Sequence, residues 1–545
     1  MKVKQNFNIT FVQSMHNRFG MENSVDRITE FLSEIQMTSL NLLVFSKILL
    51  PEVSSSGSLN SDSSERKLRV AARNFSISMI DQFSGFSELN TSAAGKTGII
   101  FCLTMVSENG ENSGLICFLE SGQNFGFSSE ENISEDEILD SANGYKLYFA
   151  TVSRKLSFSY ESRTFSLYDS EKTLEEELNK PEPDFSDYVI VMDSQPYKYD
   201  FAQNLKEAMD GANVNSILVE SSVVVMNLLG FHNGRIWCGG GGVGLKGEKT
   251  LQELPCFDPF IFSISENDKS EPFKIDKSIR VHEDGIEEIS EALIFGIRGF
   301  MYEISCSKVI LGLSGGIDSA VVAALLVEAL GSENVLGVMM PSYCTSDASN
   351  RDAECLAANL GIETLSLPIT EILSLFDSIL VSALNEPLGG LTVENLQSRL
   401  RGNMLMALAN QLNGIVVCTG NKSEKMTGYC TLYGDTCGAF APLGDLFKTR
   451  VYELAEYINR RREVIPEDII RKMPSAELRP GQLDIQSLPS YDILDDILEL
   501  YLNSGENIKS FEESEYDEAI VAHVAGLIDS ARFKARQSPP VILLS

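Results

Sequence analysis

The stretch VILGLSGGIDSAVVAALL, from Val309 to Leu326, constrains the fold more than any other part of this 545-residue chain. An apolar, β-branched run ends at Gly312-Leu313, turns through Ser314-Gly315-Gly316-Ile317-Asp318-Ser319, and resumes as a segment rich in Ala, Val and Leu. Val and Ile favour strands while Ala and Leu favour helices, so the segment reads as strand, tight turn, helix. The spacing predicts a strand over Lys308–Leu313 and a helix from about Ile317 to Leu330. Further strands are expected at Val335–Met340 and Ile415–Thr419, with helices over Gly285–Tyr302 and about Ser346–Leu360. Buried strands alternating with helices of this length imply a doubly wound parallel sheet.

The turn itself carries chemistry. Two glycines let backbone approach an anion closely, and successive N–H groups at a helix N-terminus form a positive nest. Ser314 and Ser319 add hydroxyl donors, and Asp318 can hold a Mg²⁺ that bridges phosphate oxygens. A plain glycine turn with a Ser or Asp cap is the simpler account. The full S-G-G-x-D-S at a strand–helix junction favours anion binding.

Composition removes several alternatives. With 77 acidic against 44 basic side chains the formal net charge is −33, which disfavours a nucleic acid polymer or an anionic membrane as partner. The N-terminal MKVKQNFNITFVQSMHNRFG has no apolar core with a cleavage site, and the longest apolar runs fall well short of the roughly 18–20 residues that span a bilayer. Ten cysteines without a C-x-x-C pair read as reduced thiols, so a cytoplasmic location is expected. His16, His232, His282 and His523 stand too far apart to suggest a histidine-built zinc site or a Ser-His-Asp triad.

The first half reads differently from the second. Strand-like runs at Asn8–Val12, Leu42–Phe45, Gly98–Met105, Tyr188–Met192 and Ser222–Leu229 alternate with amphipathic stretches such as Val25–Gln36, which suggests an α/β layered domain. The Ser-rich acidic segments 54–66 and 128–137 are expected to be surface loops. The polar stretch Ser265–Lys277 opens a linker, giving domains at 1–264 and 285–545 joined by residues 265–284. Two decoys are set aside. Gly239, Gly241 and Gly244 fit G-x-G-x-x-G but open no helix, and read as a turn near a strand. Gly95-Lys96-Thr97 lacks the preceding glycine of a Walker A loop, since position 90 is Asn90.

The 312–319 turn resembles the pyrophosphate loop of the N-type ATP pyrophosphatases, which cleave ATP between the α- and β-phosphates and activate an oxygen as an adenylate. Alone it leaves GMP, asparagine and NAD synthetases and tRNA-modifying enzymes as candidates. The stretches ENLQSRLRGNMLMALAN (394–410), TGNKSEKMTGYCTLY (419–433), GDTCGAFAPLGDLFKTRVYELA (434–455), PSAELRPGQ (474–482) and FKARQSPP (533–540) narrow the choice. In this order they resemble the synthetase domain of the glutamine-dependent NAD synthetases, over about 285 to 540.

That resemblance implies an adenine nucleotide α-hydrolase-like synthetase domain and an AMP-forming carbon–nitrogen ligase. Gly312, Leu313, Ser314, Gly315, Gly316, Ile317, Asp318 and Ser319 would cradle the ATP pyrophosphate, with Thr419, Lys448 and Ser475 completing the ATP site. Asp318 and Glu424 would hold Mg²⁺. Asn395, Arg399, Glu424 and Lys534 would hold deamido-NAD, and Asp318 and Lys448 would carry catalysis. A homo-oligomer is implied as well.

The family's N-terminal domain is a nitrilase-like α-β-β-α sandwich that releases ammonia from glutamine with a Glu-Lys-Cys triad. Residues 1–262 share its strand order, yet the family's Phe-Pro-Glu falls on Phe45-Ser46-Lys47 and its Ile-Cys-Glu-Asp on Val191-Met192-Asp193-Ser194. Lys47 replaces a general base by an opposite charge, and the Met192 thioether cannot form the thiolate nucleophile. The expectation is therefore a scaffold without glutaminase chemistry, fed by dissolved ammonia or by a separate glutaminase. Retained glutamine use, a tRNA-modifying enzyme and a non-catalytic regulatory subunit are the alternatives.

Overall fold

The structure is a computed structural model. It describes residues 285–504 and 516–544 continuously, and in the first 282 residues the strands named below with short adjoining segments. The chain divides into two compact units, Met1–His282 and Glu283–Ser545.

The first unit holds two sheets. One takes strands β1 (Asn8–Gln13), β2 (Leu42–Leu50), β3 (Gly98–Val106), β4 (Asn112–Glu120), β6 (Ile133–Asp140), β7 (Tyr145–Thr151), β15 (Phe260–Ser265) and β16 (Phe273–Ile275), in the order β16-β15-β1-β2-β3-β4-β7-β6. The other takes β5 (Phe125–Phe127), β8 (Lys155–Tyr160), β9 (Arg163–Tyr168), β10 (Tyr188–Met192), β11 (Ser222–Met226), β12 (Leu229–His232) and β13 (Arg235–Gly244), ordered β12-β13-β11-β10-β9-β8-β5, with β14 (Gln252–Cys256) also on β13. These supply the two β layers of the expected sandwich, and β2 and β12 meet across them. Val25–Gln36, segment 54–66 and Gly95–Thr97 lie outside the described residues.

Several details differ from the sequence reading. Strand β2 does not end at Phe45-Ser46-Lys47; the register shifts between Val44 and Lys47, and the apolar Ile48-Leu49-Leu50 continue the ladder against β3. Lys47 therefore lies inside a strand, opposite Cys102. Met192 does end its strand, and its side chain is fully buried. The acidic segment 128–137 carries the start of β6, whose position at a sheet edge suits charged residues that discourage edge-to-edge pairing. Residues 265–284, expected as linker, contribute β16, which pairs antiparallel with β15. The glycine run 239–242 is not a turn beside a strand but part of β13 itself. At Gly241 (φ +136°) an added Cβ would sit 2.0 Å from the Val225 carbonyl oxygen, so only glycine allows β13 to lie this close to β11.

The second unit is a four-stranded parallel sheet, β17 (Val309–Gly312), β18 (Val335–Met339), β19 (Glu363–Ser366) and β20 (Ile415–Val416), ordered β19-β18-β17-β20. Helix α1 (Gly285–Glu303) precedes it, and α2 (Ile317–Leu330) follows β17. Residues Ser319 through Leu326 of α2 are all buried, as expected of a helix apolar on every side. Then come α3 (Asp347–Leu360), α4 (Thr370–Leu384), α5 (Gly390–Leu412), α6 (Lys422–Thr427), α7 (Lys448–Asn459), α8 (Glu467–Arg471), α9 (Tyr491–Asn503) and α10 (Glu518–Ala535). Strand β20 is shorter than the predicted Ile415–Thr419; beyond it Val417 bridges to Phe440 instead. The chain runs outward from β17 to β19 and returns to the other side of β17, so the switch point lies beyond the ends of β17 and β20, where doubly wound sheets bind ligands. No described helix is long and apolar enough to cross a membrane.

The close approach at Gly241 yields a test. Gly241→Ala should destabilise the protein by about 3 kcal/mol, the upper end of overpacking costs, read as a lowered urea midpoint in far-UV circular dichroism.

Candidate active site

A cavity of about 290 Å³ opens at the switch point. The loop after β17 forms its floor. Gly315 (φ +74°) is pressed so closely against α3 that a Cβ would sit 2.2 Å from the Ser349 carbonyl oxygen. Gly316 begins α2 without a side-chain cap, which leaves first-turn N–H groups of the helix to face an anion. The two serines do something other than expected. Ser319 Oγ donates to the Gly316 carbonyl at 3.0 Å, Ser314 Oγ lies 3.0 Å from Ser319 Oγ, and Ser314 Oγ accepts the Gly316 N–H at 3.2 Å. Their hydroxyls hold the loop's shape, and the backbone presents the donors.

Opposite the loop, three charges converge. Asp318 comes from the first turn of α2, Glu424 from α6 and Lys448 from the first position of α7. Lys448 Nζ donates to Asp318 Oδ2 at 2.5 Å and to Glu424 Oε1 at 3.4 Å. Burial works against the Lys448 charge, but Asp318 and Glu424 more than offset it, and its pKa rises above the ordinary lysine value. Glu424 moves up to about 8: burial raises it, Lys448 opposes, and Asp318, Asp484 and Asp435 add to the rise. A single ammonium cannot neutralise this many carboxylates. Among the described residues no three His, Cys, Asp or Glu side chains group to hold a metal. Two carboxylates beside a helix N-terminus open to an anion nevertheless suit Mg²⁺, which is typically held by one or two carboxylates plus phosphate oxygens.

The cluster is positioned from behind. Asn421, fully buried, caps α6 by accepting the Glu424 N–H at 3.0 Å and donates to Asp318 Oδ1 at 2.9 Å. Ser423 Oγ accepts the Lys448 N–H at 2.9 Å and donates to Asp495 of α9, whose other oxygen accepts the Thr449 N–H at 2.9 Å. That carboxylate caps the start of α7, for which Phe447 provides no side-chain acceptor. The Tyr491 ring lies 5.2 Å from Lys448 Nζ, and its hydroxyl donates to Asp484, as does that of Tyr429.

Thr419 and Ser475 also line the cavity, but Ser475 Oγ donates to the Gln482 carbonyl at 2.6 Å and shapes its own loop. The other predicted group stands apart. Asn395 accepts the Thr431 hydroxyl at 2.8 Å, Arg399 Nε donates to the Leu432 carbonyl at 3.2 Å, and Lys534 Nζ donates to the Gly428 and Cys430 carbonyls at 2.8 Å. All three converge on residues 428–432, and none lines the cavity formed by the 312–319 loop.

Four residues escaped the sequence reading. Lys472, which lines the cavity, binds through Nζ the Gly315 carbonyl (3.2 Å), Ser349 Oγ (3.1 Å) and Asp352, pinning the glycine loop. Arg401 lines the cavity with Nε on the Met340 carbonyl at 3.0 Å, leaving its terminal nitrogens without a described partner. Asn421 and Asp484 complete the set. Of these only Asn421 left a local trace, the N-x-x-E spacing to Glu424 that marks a capping box.

A carboxyl that titrates higher in the folded than in the unfolded chain stabilises below its unfolded pKa of about 4.3 and loses that contribution as pH rises through its folded value. For Glu424 the window runs from there to about 8. Urea midpoints in Mg²⁺-free buffer should therefore fall from pH 5 to pH 8, and Glu424→Gln should flatten the fall and be the more stable protein at pH 8.

With the geometry in place, comparison with known proteins is informative. The NAD synthase family model matches residues 289–539. A glutamine-dependent NAD(+) synthetase of Acinetobacter baylyi is 31% identical over 541 residues, 98% of this chain and 95% of that one. Those of Synechocystis and Thermotoga maritima are 41% and 47% identical, over regions spanning 57% and 44% of their own lengths. Among solved structures, the glutamine-dependent NAD+ synthetase of Acinetobacter baumannii in complex with adenosine diphosphate aligns with a TM-score of 0.64 and 28% identity, covering 98% of this chain and 95% of that one. The synthetase of Cytophaga hutchinsonii, 15% identical with a TM-score of 0.68, shares the fold over 98% of this chain and 94% of its own. The glycine loop beside Asp318, Glu424 and Lys448 fits this family, and a relative matched along nearly its whole length establishes that this chain belongs to the glutamine-dependent NAD(+) synthetases.

Proposed function

We propose that this chain is an AMP-forming ligase that amidates deamido-NAD to NAD, with ammonia as its direct nitrogen source. The observation that carries the reading is the facing pair in one cavity, the Gly315-Gly316 nest and the Asp318–Lys448–Glu424 cluster. A carboxylate resists attack by ammonia, so its oxygen first attacks the α-phosphate of ATP and pyrophosphate departs. Ammonia then adds to the acyl carbon, the acyl–oxygen bond breaks, AMP leaves with that oxygen, and a proton is released.

Each residue has a task in this sequence. The α2 N-terminus and the 312–316 backbone bind the departing pyrophosphate. Lys448, fixed at its backbone by Ser423, supplies positive charge where negative charge develops. Asp318 and Glu424 would hold Mg²⁺, whose chemistry is to neutralise phosphate charge. Arg399 and Lys534, with Asn395, hold the loop against which the dinucleotide lies, and Arg401 offers its fork to an anion inside the cavity.

Met192 supports ammonia over glutamine, because its thioether cannot form the nucleophile, and Lys47, within β2, brings no carboxylate to act as base. The relatives' names favour glutamine, so the two donors are to be compared directly. Purified protein should form NAD with ammonium chloride and not with glutamine; equal turnover on both would refute the loss of glutaminase. Asp318→Ala should abolish NAD formation, whereas Met192→Ala should leave the ammonium reaction intact. Undiminished NAD formation in Asp318→Ala would refute the assigned site, and no NAD formation by the unaltered protein with either donor would refute the ligase assignment.

A homo-oligomer completes the proposal. Ile372, Leu375, Phe376 and Ile379 form an i, i+3, i+4, i+7 stripe on α4 that is 36–59% exposed, an arrangement that suits a second copy. Leu375→Glu with Ile379→Glu should lower the mass measured by light scattering; an unchanged mass would exclude this face.

A further inference from the structure

Glycine serves two different needs in the second unit. On α5 it makes room: a Cβ at Gly402 would meet the Tyr433 and Gly434 carbonyl oxygens at 2.9 and 3.0 Å. In the Gly315-Gly316 pair it also gives freedom. A peptide group between two glycines can turn over with little steric penalty, because neither flanking residue carries a Cβ. Turning it over here would take Gly316 from φ −98° to about +80°, open to glycine and closed to most side chains.

The neighbouring peptides are fixed by regular structure. The Leu313 N–H donates to the Val338 carbonyl at 2.9 Å, and the Gly316 carbonyl accepts the Ala320 N–H of α2 at 3.2 Å. The group between Gly315 and Gly316 rests on side chains instead. Its N–H reaches Ser314 Oγ at 3.2 Å, and its carbonyl is held by Lys472 Nζ, 157 residues away in the chain, also at 3.2 Å. A trans peptide points its carbonyl and its N–H in opposite directions. Holding the carbonyl on Lys472 therefore keeps a donor, rather than an acceptor, on the side of Ser314.

Lys472 is held in its turn. It directly follows α8, with its N–H on the Asp468 carbonyl at 3.0 Å. Its ammonium also meets Ser349 Oγ at 3.1 Å and the Asp352 carboxylate, both on α3. Ser349 Oγ donates onward to Glu477 Oε1 at 2.7 Å, and Glu477 belongs to the segment 473–478 that lines the same cavity. Helix α3 and a second wall of the cavity thus meet the glycine loop through one ammonium.

We propose that Lys472 is a positioning residue: it keeps the Gly315 carbonyl turned away from the anion, so that the loop meets the departing pyrophosphate with N–H groups. It acts through the backbone, its own charge being engaged by Asp352. This deepens the ligase reading above and rests on it.

The test uses the full chain and magnesium pyrophosphate. Calorimetric titration gives the dissociation constant, and turnover with ammonium chloride gives KM for deamido-NAD. Lys472→Met should weaken pyrophosphate roughly 10- to 150-fold, the worth of a hydrogen bond to a charged group, and leave that KM within about twofold. Asp352→Asn decides how the ammonium acts. It loosens the tether while removing a negative charge, so a positioning role predicts pyrophosphate bound roughly 2- to 10-fold more weakly. Unchanged or tighter binding in Asp352→Asn would make Lys472 a direct charge on the phosphate and overturn the proposal. Undiminished pyrophosphate binding in Lys472→Met overturns it as well. So does an equal loss for both ligands with a lowered Tm, which marks a residue needed only for folding. An unaltered protein that neither binds pyrophosphate nor forms NAD refutes the ligase reading and the proposal with it, an outcome recognised without any variant.

Discussion

One buried ammonium organises the second unit. Lys448, 3% exposed at its side chain, lies between Asp318 and Glu424, and through them it ties the starts of α2, α6 and α7 to a single point. Removing the ammonium would leave Asp318 and Glu424 facing each other out of water without a counter-charge, at a cost of several kcal/mol. The arrangement is costly as a means of stabilising a fold. It makes sense as a preorganised field that needs no rearrangement when negative charge arrives.

The local chemistry of this site was legible because it is contiguous. Strand, glycine turn and helix at 309–330 follow from residue order, and α2 spans the predicted Ile317–Leu330. What escaped are contacts between distant positions. Asn421 reaches Asp318 across 103 residues and Lys472 reaches Gly315 across 157, and nothing in either segment alone announces its partner. Ser314, Ser319 and Ser475 were legible as hydroxyls near phosphate, yet neighbouring backbone groups satisfy them within their own loops. In the first unit five strands were legible as apolar runs, Tyr188–Met192 to the residue, while the paired strands within residues 112–168 were not and β2 was stopped short. Ile48-Leu49-Leu50 prolong β2 because β3 stands beside them, and the glycines of β13 sit in a strand because β11 presses on them.

The acidic excess of the chain also looks different beside the site. A net charge of −33 sets a repulsive background for any anion, so whatever anionic ligand enters must be met by local features. The cavity supplies them sparingly: a helix N-terminus, Lys448, Lys472 and Arg401. Two of these cations are already engaged by carboxylates, which leaves the helix backbone and the Arg401 fork as its open positive groups.

Gly402 shows how such geometry limits change. A glycine in the middle of a 23-residue helix is about 1 kcal/mol worse than alanine on intrinsic propensity, and would rank high among sites for routine stabilisation. Here the missing methyl is the space into which the Tyr433–Gly434 carbonyls descend. Improving the helix would lift the loop, so any survey of stabilising substitutions should find α5 resistant at the one position where helix propensity recommends a change.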